Sequence, residues 1–113
     1  MATMQVEERV GEAWKQHRMG NNPAAIEIFE EILKQRPDHI DALYGLGLSR
    51  RANGETAWAI EAFKKALMLA TEALNTEEKT GGAFKGNNLE SYDTDRYMML
   101  SRMIKQRLAE LDS

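Results

Sequence analysis

The chain has 113 residues, of which 42% are hydrophobic and 29% charged, and its formal net charge is −3. This length predicts a single domain with a modest core, and the slightly negative charge argues against general binding of nucleic acids. The absence of cysteine excludes disulfides, thiolate metal sites and a thiol nucleophile.

The beginning of the chain and its apolar runs bear on where the protein is located. The first ten residues, MATMQVEERV, contain neither a basic lead nor an apolar run, so they do not predict a signal peptide. The longest apolar stretch, around Ala66 to Ala70, is far too short to cross a bilayer. We therefore expect a soluble cytoplasmic protein without a transmembrane segment.

Two amphipathic helices are predicted first. Between about Val6 and Met19 the apolar residues recur at i, i+4, i+7 and i+8, which is the stripe of an amphipathic helix. Gly20 supplies the left-handed conformation that ends such a helix, and Asn22 followed by Pro23 is expected to cap the next one. The second helix carries one apolar face, formed by Ala25, Ile26, Phe29, Ile32 and Leu33.

A second pair of helices follows. Asp38 is expected to cap a third helix from Ile40 to about Asn53. Within it, Gly47 costs on the order of 1 kcal/mol in helix propensity, which we interpret as the cost of letting a paired helix approach closely. Thr56 is expected to cap a fourth helix that continues to about Leu74.

The apolar pattern fails between residues 75 and 93, where three glycines stand among charged residues and asparagines, and this stretch is predicted to be a long loop. Asp93 or Thr94 can then cap a last helix, from about 94 to 111. This helix has an apolar side and a polar back, as expected of an element that covers the end of a helical array.

The first two helices recur in the next two. Six pairs of matched residues are each separated by 34 positions. The pairs are Ala13 and Gly47, Gly20 and Gly54, Ala25 and Ala59, Ile26 and Ile60, Phe29 and Phe63, and Leu33 and Leu67. This pattern, with a small residue early, a glycine midway, and an alanine and an aromatic residue four apart, resembles the tetratricopeptide repeat, a helix–turn–helix unit.

The resemblance, which covers about Val6 to Leu74, implies the architecture. We expect one all-α domain over residues 1–113, a short helical-hairpin solenoid of two helix–turn–helix repeats at about 6–39 and 40–74. The long loop at 75–93 and the capping helix at 94–111 complete it. Because a free-standing array usually needs roughly three repeats, the capping helix or a partner must complete the core.

The sequence offers little material for catalysis. His17 and His39 lie in different elements, and neither has a second histidine or a carboxylate at a spacing typical of a metal site. The glycine-rich residues 81–86 lack the spacing and the Ser or Thr of a phosphate-binding loop, which favours a flexible linker. We therefore expect no enzymatic activity, no metal and no cofactor.

The resemblance instead implies a binding groove lined by the first helix of each repeat. The site residues that it implies are Val10, Trp14, His17, Arg18, Asp41, Tyr44, Leu48 and Arg51. Trp, Tyr and Arg dominate the energetics of many protein interfaces. Two roles stay open for Trp14 and Tyr44, since both can also pack in the core.

We therefore expect a protein–protein interaction module, an adaptor, scaffold or assembly factor that binds a peptide or helix of another protein in this groove. An apolar or amphipathic segment fits best, because Val10, Trp14 and Leu48 stand where some relatives place the Lys and Asn that hold a carboxylate. The alternative is a self-associating subunit that forms a homodimer or larger array through its repeat faces. Trp58 is expected at a repeat edge or a subunit contact.

Overall fold

The structure, a computed structural model, describes the backbone of residues 6–81 and 88–112 and the side chains of residues 6–75 and 96–111. The described elements are the helices α1 (Val6–Arg18), α2 (Asn22–Gln35), α3 (Ile40–Ala52), α4 (Thr56–Gly81) and α5 (Asn88–Asp112). The predicted all-α fold and the order of its helices are confirmed. None of the described helices combines the length and the apolar character needed to cross a membrane.

The helices form two layers. Each helix packs on the next along the chain, and α1 also contacts α3. Two ion pairs place α5 beside α3, because Arg96 of α5 bonds Asp41 in the first turn of α3 and Glu110 bonds Arg51 in its last turn. We call α1, α3 and α5 the inner layer, and α2 and α4 the outer layer.

The same turn is built twice, at the ends of α1 and α3. Gly20 and Gly54 have φ values of 83° and 82°, which confirms the left-handed conformation predicted for Gly20. In each turn the amide of the residue after the glycine donates a hydrogen bond to a carbonyl of the preceding helix. Asn21 donates to Gln16 at 2.9 Å, and Glu55 donates to Arg50 at 2.8 Å. The 34-residue recurrence therefore extends to individual backbone hydrogen bonds.

Three predicted caps are wrong by one residue. Thr56 is already the first helical residue of α4. Asn21 is the N-cap residue of α2, and Asn22 is already helical, with its side-chain oxygen hydrogen-bonded to His17. At α3 the cap is His39, whose Nδ1 accepts a hydrogen bond from the Ala42 amide at 3.2 Å. Asp38 lies one position too early in the turn to reach that amide.

The structure also differs from the prediction between residues 75 and 93. Helix α4 continues to Gly81 and α5 begins at Asn88, so both helices extend into the stretch predicted as a loop. Thr71 stands where the first repeat has Pro37, and without a proline the backbone keeps the amide donor that a helix needs. Residues 82–87 lie outside the described part of the chain.

The apolar side chains form two connected clusters. The first lies among α1, α2 and α3, and its largest fully buried side chain is that of Phe29. The second lies among α3, α4 and α5, where Leu100 and Ile104 of α5 join Tyr44 and the fully buried Phe63. The apolar side predicted for the last helix is thus buried within the second cluster.

Two glycines of α3 determine how closely the layers approach. The ring of Phe29 lies against Gly45, and the ring of Phe63 lies against Gly47. A Cβ atom at either glycine would come within 3.0 Å of ring carbons, so α3 receives one aromatic ring from each neighbouring outer helix. The packing role predicted for Gly47 agrees with this geometry, whereas Gly45 was not singled out by its sequence.

We expect Gly45→Ala and Gly47→Ala each to lower the free energy of unfolding by about 1–3 kcal/mol, although alanine is the better helix former. Both rings are fully buried, so a Cβ at either glycine forces a shift within a close-packed core. Urea unfolding followed by circular dichroism measures the change. Gly11→Ala is the matched control, because a Cβ at this helical glycine meets no atom within 4 Å, so stability should stay the same or rise. A neutral effect at Gly45 and Gly47 would contradict the close-packing argument.

Candidate binding surface on the inner layer

Trp14 is the centre of the inner surface of α1 and α3. Its ring is edge-on to Phe29 with centroids 5.4 Å apart, and edge-on to His17 at 5.9 Å. It also lies 6.3 Å from the ring of Tyr44 in a tilted arrangement. Trp14 is partly exposed and packs against both apolar clusters. The Trp14 ring thus supports the core and also meets solvent, which is compatible with either of the two roles left open for this residue.

The side chains around Trp14 differ in how much surface they offer. Val10 and Leu48 are partly exposed and pack on the first and second clusters respectively. Arg18 is exposed at the end of α1. A partner on this surface would therefore meet apolar carbon on both helices, with a cation at one end.

Tyr44 is buried, with only 7% of its surface exposed, and its ring lies 5.8 Å from that of Phe63. Burial raises the pKa of its phenol above the ordinary value because it disfavours the phenolate. The guanidinium groups of Arg107 and Arg51 act in the opposite direction, because a cation favours the phenolate and lowers this pKa. Tyr44 thus belongs to the core beneath the surface, and Trp14 is the aromatic ring that solvent reaches.

His17 connects the two inner helices through hydrogen bonds. Its Nδ1 is 3.0 Å from Oδ1 of Asn22 and 3.3 Å from Oγ of Ser49, a fully buried residue of α3. The ring is therefore held by α3 and by the start of α2 at once. Because these hydrogen bonds hold the His17 ring in place, they also support the Trp14 ring that packs edge-on against it.

Asp41 and Arg51, two of the predicted site residues, are engaged by α5. Arg96 bonds Asp41 at 2.7 Å, and Glu110 bonds Arg51 at 2.8 Å while its other oxygen lies 3.3 Å from Arg107. Sequence reasoning missed these α5 residues. Their charges were visible in the sequence, but nothing in it fixed the register of α5 against α3.

The arrangement as a whole suits docking more than chemistry. Val10, Trp14 and Arg18 follow one another at intervals of four residues along α1, and they and Leu48 of α3 are at least partly exposed, whereas Tyr44 is buried. Across the residues that the structure describes, no group of three or more His, Asp or Glu side chains is arranged to hold a metal ion. A partly exposed aromatic ring on a rigid support is a typical central element of a protein interface.

Part of the chain matches the model of a known protein family. Residues 11–75, more than half of the chain, match the tetratricopeptide repeat family. No curated protein matches the chain. The matched range contains most of α1 and the whole of α2 and α3, and it ends within α4.

The raised pKa of Tyr44 predicts a specific loss of stability at high pH. The folded state holds the phenolic proton more tightly than the unfolded state, so this contribution is complete below pH about 10 and is lost as the pH rises further. The free energy of unfolding of the wild type should therefore fall more steeply above that pH than that of Tyr44→Phe. Urea unfolding over a pH series measures both slopes, and equal slopes would contradict the prediction.

Proposed function

Because the chain belongs to the tetratricopeptide repeat family, whose repeats form protein–protein interaction modules, we propose that it is a non-enzymatic adaptor, scaffold or assembly factor. It binds a segment of a partner protein on the inner surface formed by Val10, Trp14, Arg18 and Leu48. The single observation that supports this most is Trp14, whose ring is held by three other rings and still reaches solvent.

The rigidity of Trp14 matters because binding costs conformational entropy. A tryptophan already held in place loses little freedom when a partner covers it, so the buried area contributes more fully to affinity. Val10 and Leu48 on either side are apolar and partly exposed. The proposed partner segment is therefore apolar or amphipathic, and it lies across α1 and α3 as a helix or an extended strand.

Helix α5 shapes one side of this surface. Its ion pairs to Asp41 and Arg51 hold it beside α3, where a third inner helix of the array would stand. In this position it supports Tyr44 through Leu100 and Ile104, which belong to the same cluster. The partner would thus find a surface of three inner helices although the sequence contains only two repeats.

Testing the surface requires substitutions that spare the core. Trp14→Ala and Tyr44→Ala are unsuitable, because truncating a packed aromatic residue costs about 3–5 kcal/mol and would confuse folding with binding. Arg18→Glu changes an exposed residue, and Leu48→Ala shortens a partly exposed side chain without bringing a charge against the second cluster. The tagged wild type should capture a partner from the source cell, and each variant should retain at most about a tenth of that partner.

Thr71→Glu provides the matched control, since it adds a negative charge at an exposed position of the outer layer. This variant should capture the partner as well as the wild type does. Circular dichroism on all three variants verifies that the helices persist. Unchanged capture by both folded inner-surface variants, or an equal loss in Thr71→Glu, would refute the inner surface as the binding site.

A further inference from the structure

An exposed tryptophan lies on the opposite side of the molecule. Trp58, near the start of α4, has 61% of its surface exposed. The guanidinium group of Arg50 lies 5.5 Å from its ring centroid, and that arginine is itself held by Glu30 and Glu55. A large apolar ring is therefore fixed by a charged network while most of it remains in water. Exposed aromatic surface that is already fixed is characteristic of an interface.

Trp58 stands at the rim of a groove between the two outer helices. The groove has a volume of about 410 Å³ and is floored by Leu43, Leu46 and Ala62. Glu30 of α2 lies on one side, and Lys64 and Lys65 of α4 lie on the other. We call this the outer groove. It is separate from the inner surface, because α3 lines it with residues other than Tyr44, Leu48 and Arg51.

The exposed faces of α2 and α4 carry opposite charges at equivalent positions. Glu30 and Glu31 on α2 precede Lys64 and Lys65 on α4 by 34 residues each, so the repeat places them at the same height along parallel copies of one helix. Both glutamate side chains remain about half exposed, at 48% and 47%, although they pair with arginines of the inner layer. Both lysines are exposed, and neither has an ion-pair partner among the described residues.

We propose that the outer groove is a homodimer interface, in which a second copy of this chain is related by a two-fold axis running along the groove. This axis sets α2 of each copy opposite α4 of the other, so equivalent positions meet and each glutamate faces a lysine. Trp58 of each copy packs on the α2 side of the other groove. The pair Glu27 and Glu61, also equivalent, is like-charged and opposes association; across the two-fold axis it occurs twice, against four glutamate–lysine pairs and two indole rings.

Sedimentation velocity on the full chain tests the proposal over a range of concentrations. The apparent mass of the wild type should rise from 12.8 kDa towards twice that value as the concentration increases. Trp58→Ala, and separately the double variant Lys64→Glu with Lys65→Glu, should each weaken dimerisation by at least about tenfold. Circular dichroism establishes that these exposed substitutions leave the helices intact.

The matched control is Lys15→Glu with Lys105→Glu, which changes the net charge by the same amount at exposed positions of the inner layer. It should dimerise like the wild type. A wild type that stays monomeric at every concentration overturns the proposal. So does a dimer that survives both outer-groove variants, or one that the inner-layer control disrupts.

A charge exchange identifies the pairing itself. Glu30→Lys with Glu31→Lys should also lose the homodimer, and mixing it with the Lys64→Glu, Lys65→Glu variant should restore a dimer, because each pair formed by positions 30 and 64 or 31 and 65 is again of opposite sign. Failure of the mixture to associate, when both variants are folded, would overturn the two-fold arrangement. These results do not depend on capture of a partner by the inner surface, so the two proposals can fail separately.

Discussion

The contact between an aromatic ring and a glycine determines the geometry on which the rest of the structure depends. Phe29 and Phe63 each fill the space where α3 lacks a side chain, and this lets both outer helices approach it closely. Gly11 shows that the residue type alone has no such effect. It occupies the position equivalent to Gly45 in the first repeat, yet nothing lies within 4 Å of a Cβ placed there. The importance of a glycine is thus set by the ring that faces it.

The fold could be predicted from the sequence because the repeat indicates both the individual helices and the way in which they pack on one another. The interval of 34 residues fixed the order of α1 to α4, the turn at Gly20 and the close packing at Gly47. Gly45 escaped notice because its neighbour, Phe29, belongs to the preceding repeat, and a comparison of equivalent positions does not reveal contacts between repeats. The caps were misplaced by one residue because a periodic apolar pattern locates a helix but not its first residue, and the hydrogen bonds of Asn22 to His17 and of His39 to Ala42 are seen only in the structure.

The candidate site was predictable as a surface but not as a set of roles. The repeat register places Val10, Trp14 and Leu48 on the inner layer, as expected. It could not show that Tyr44 is buried or that Asp41 and Arg51 are engaged by α5. The reason is physical: α5 does not begin at the interval of 34 residues that separates α1 from α3, so the repeat does not predict its register against α3. With α5 in that register, Tyr44 lies in the core and Trp14 is the ring that meets solvent.

The position of α5 has a consequence for how the molecule opens. In a helical array each element is stabilised mainly by its neighbours, and α5 has a packed neighbour on the α4 side, with ion pairs to α3 that are partly exposed. Dissolved salt weakens such pairs and leaves the buried rings of the centre unaffected. Amide protons of α5 are therefore expected to exchange with solvent before those of α3, most readily at high ionic strength. Detachment of α5 would expose Tyr44 and the side of α3 next to it. The fraction of molecules with α5 detached therefore determines how much of the inner layer is accessible to solvent or to a partner.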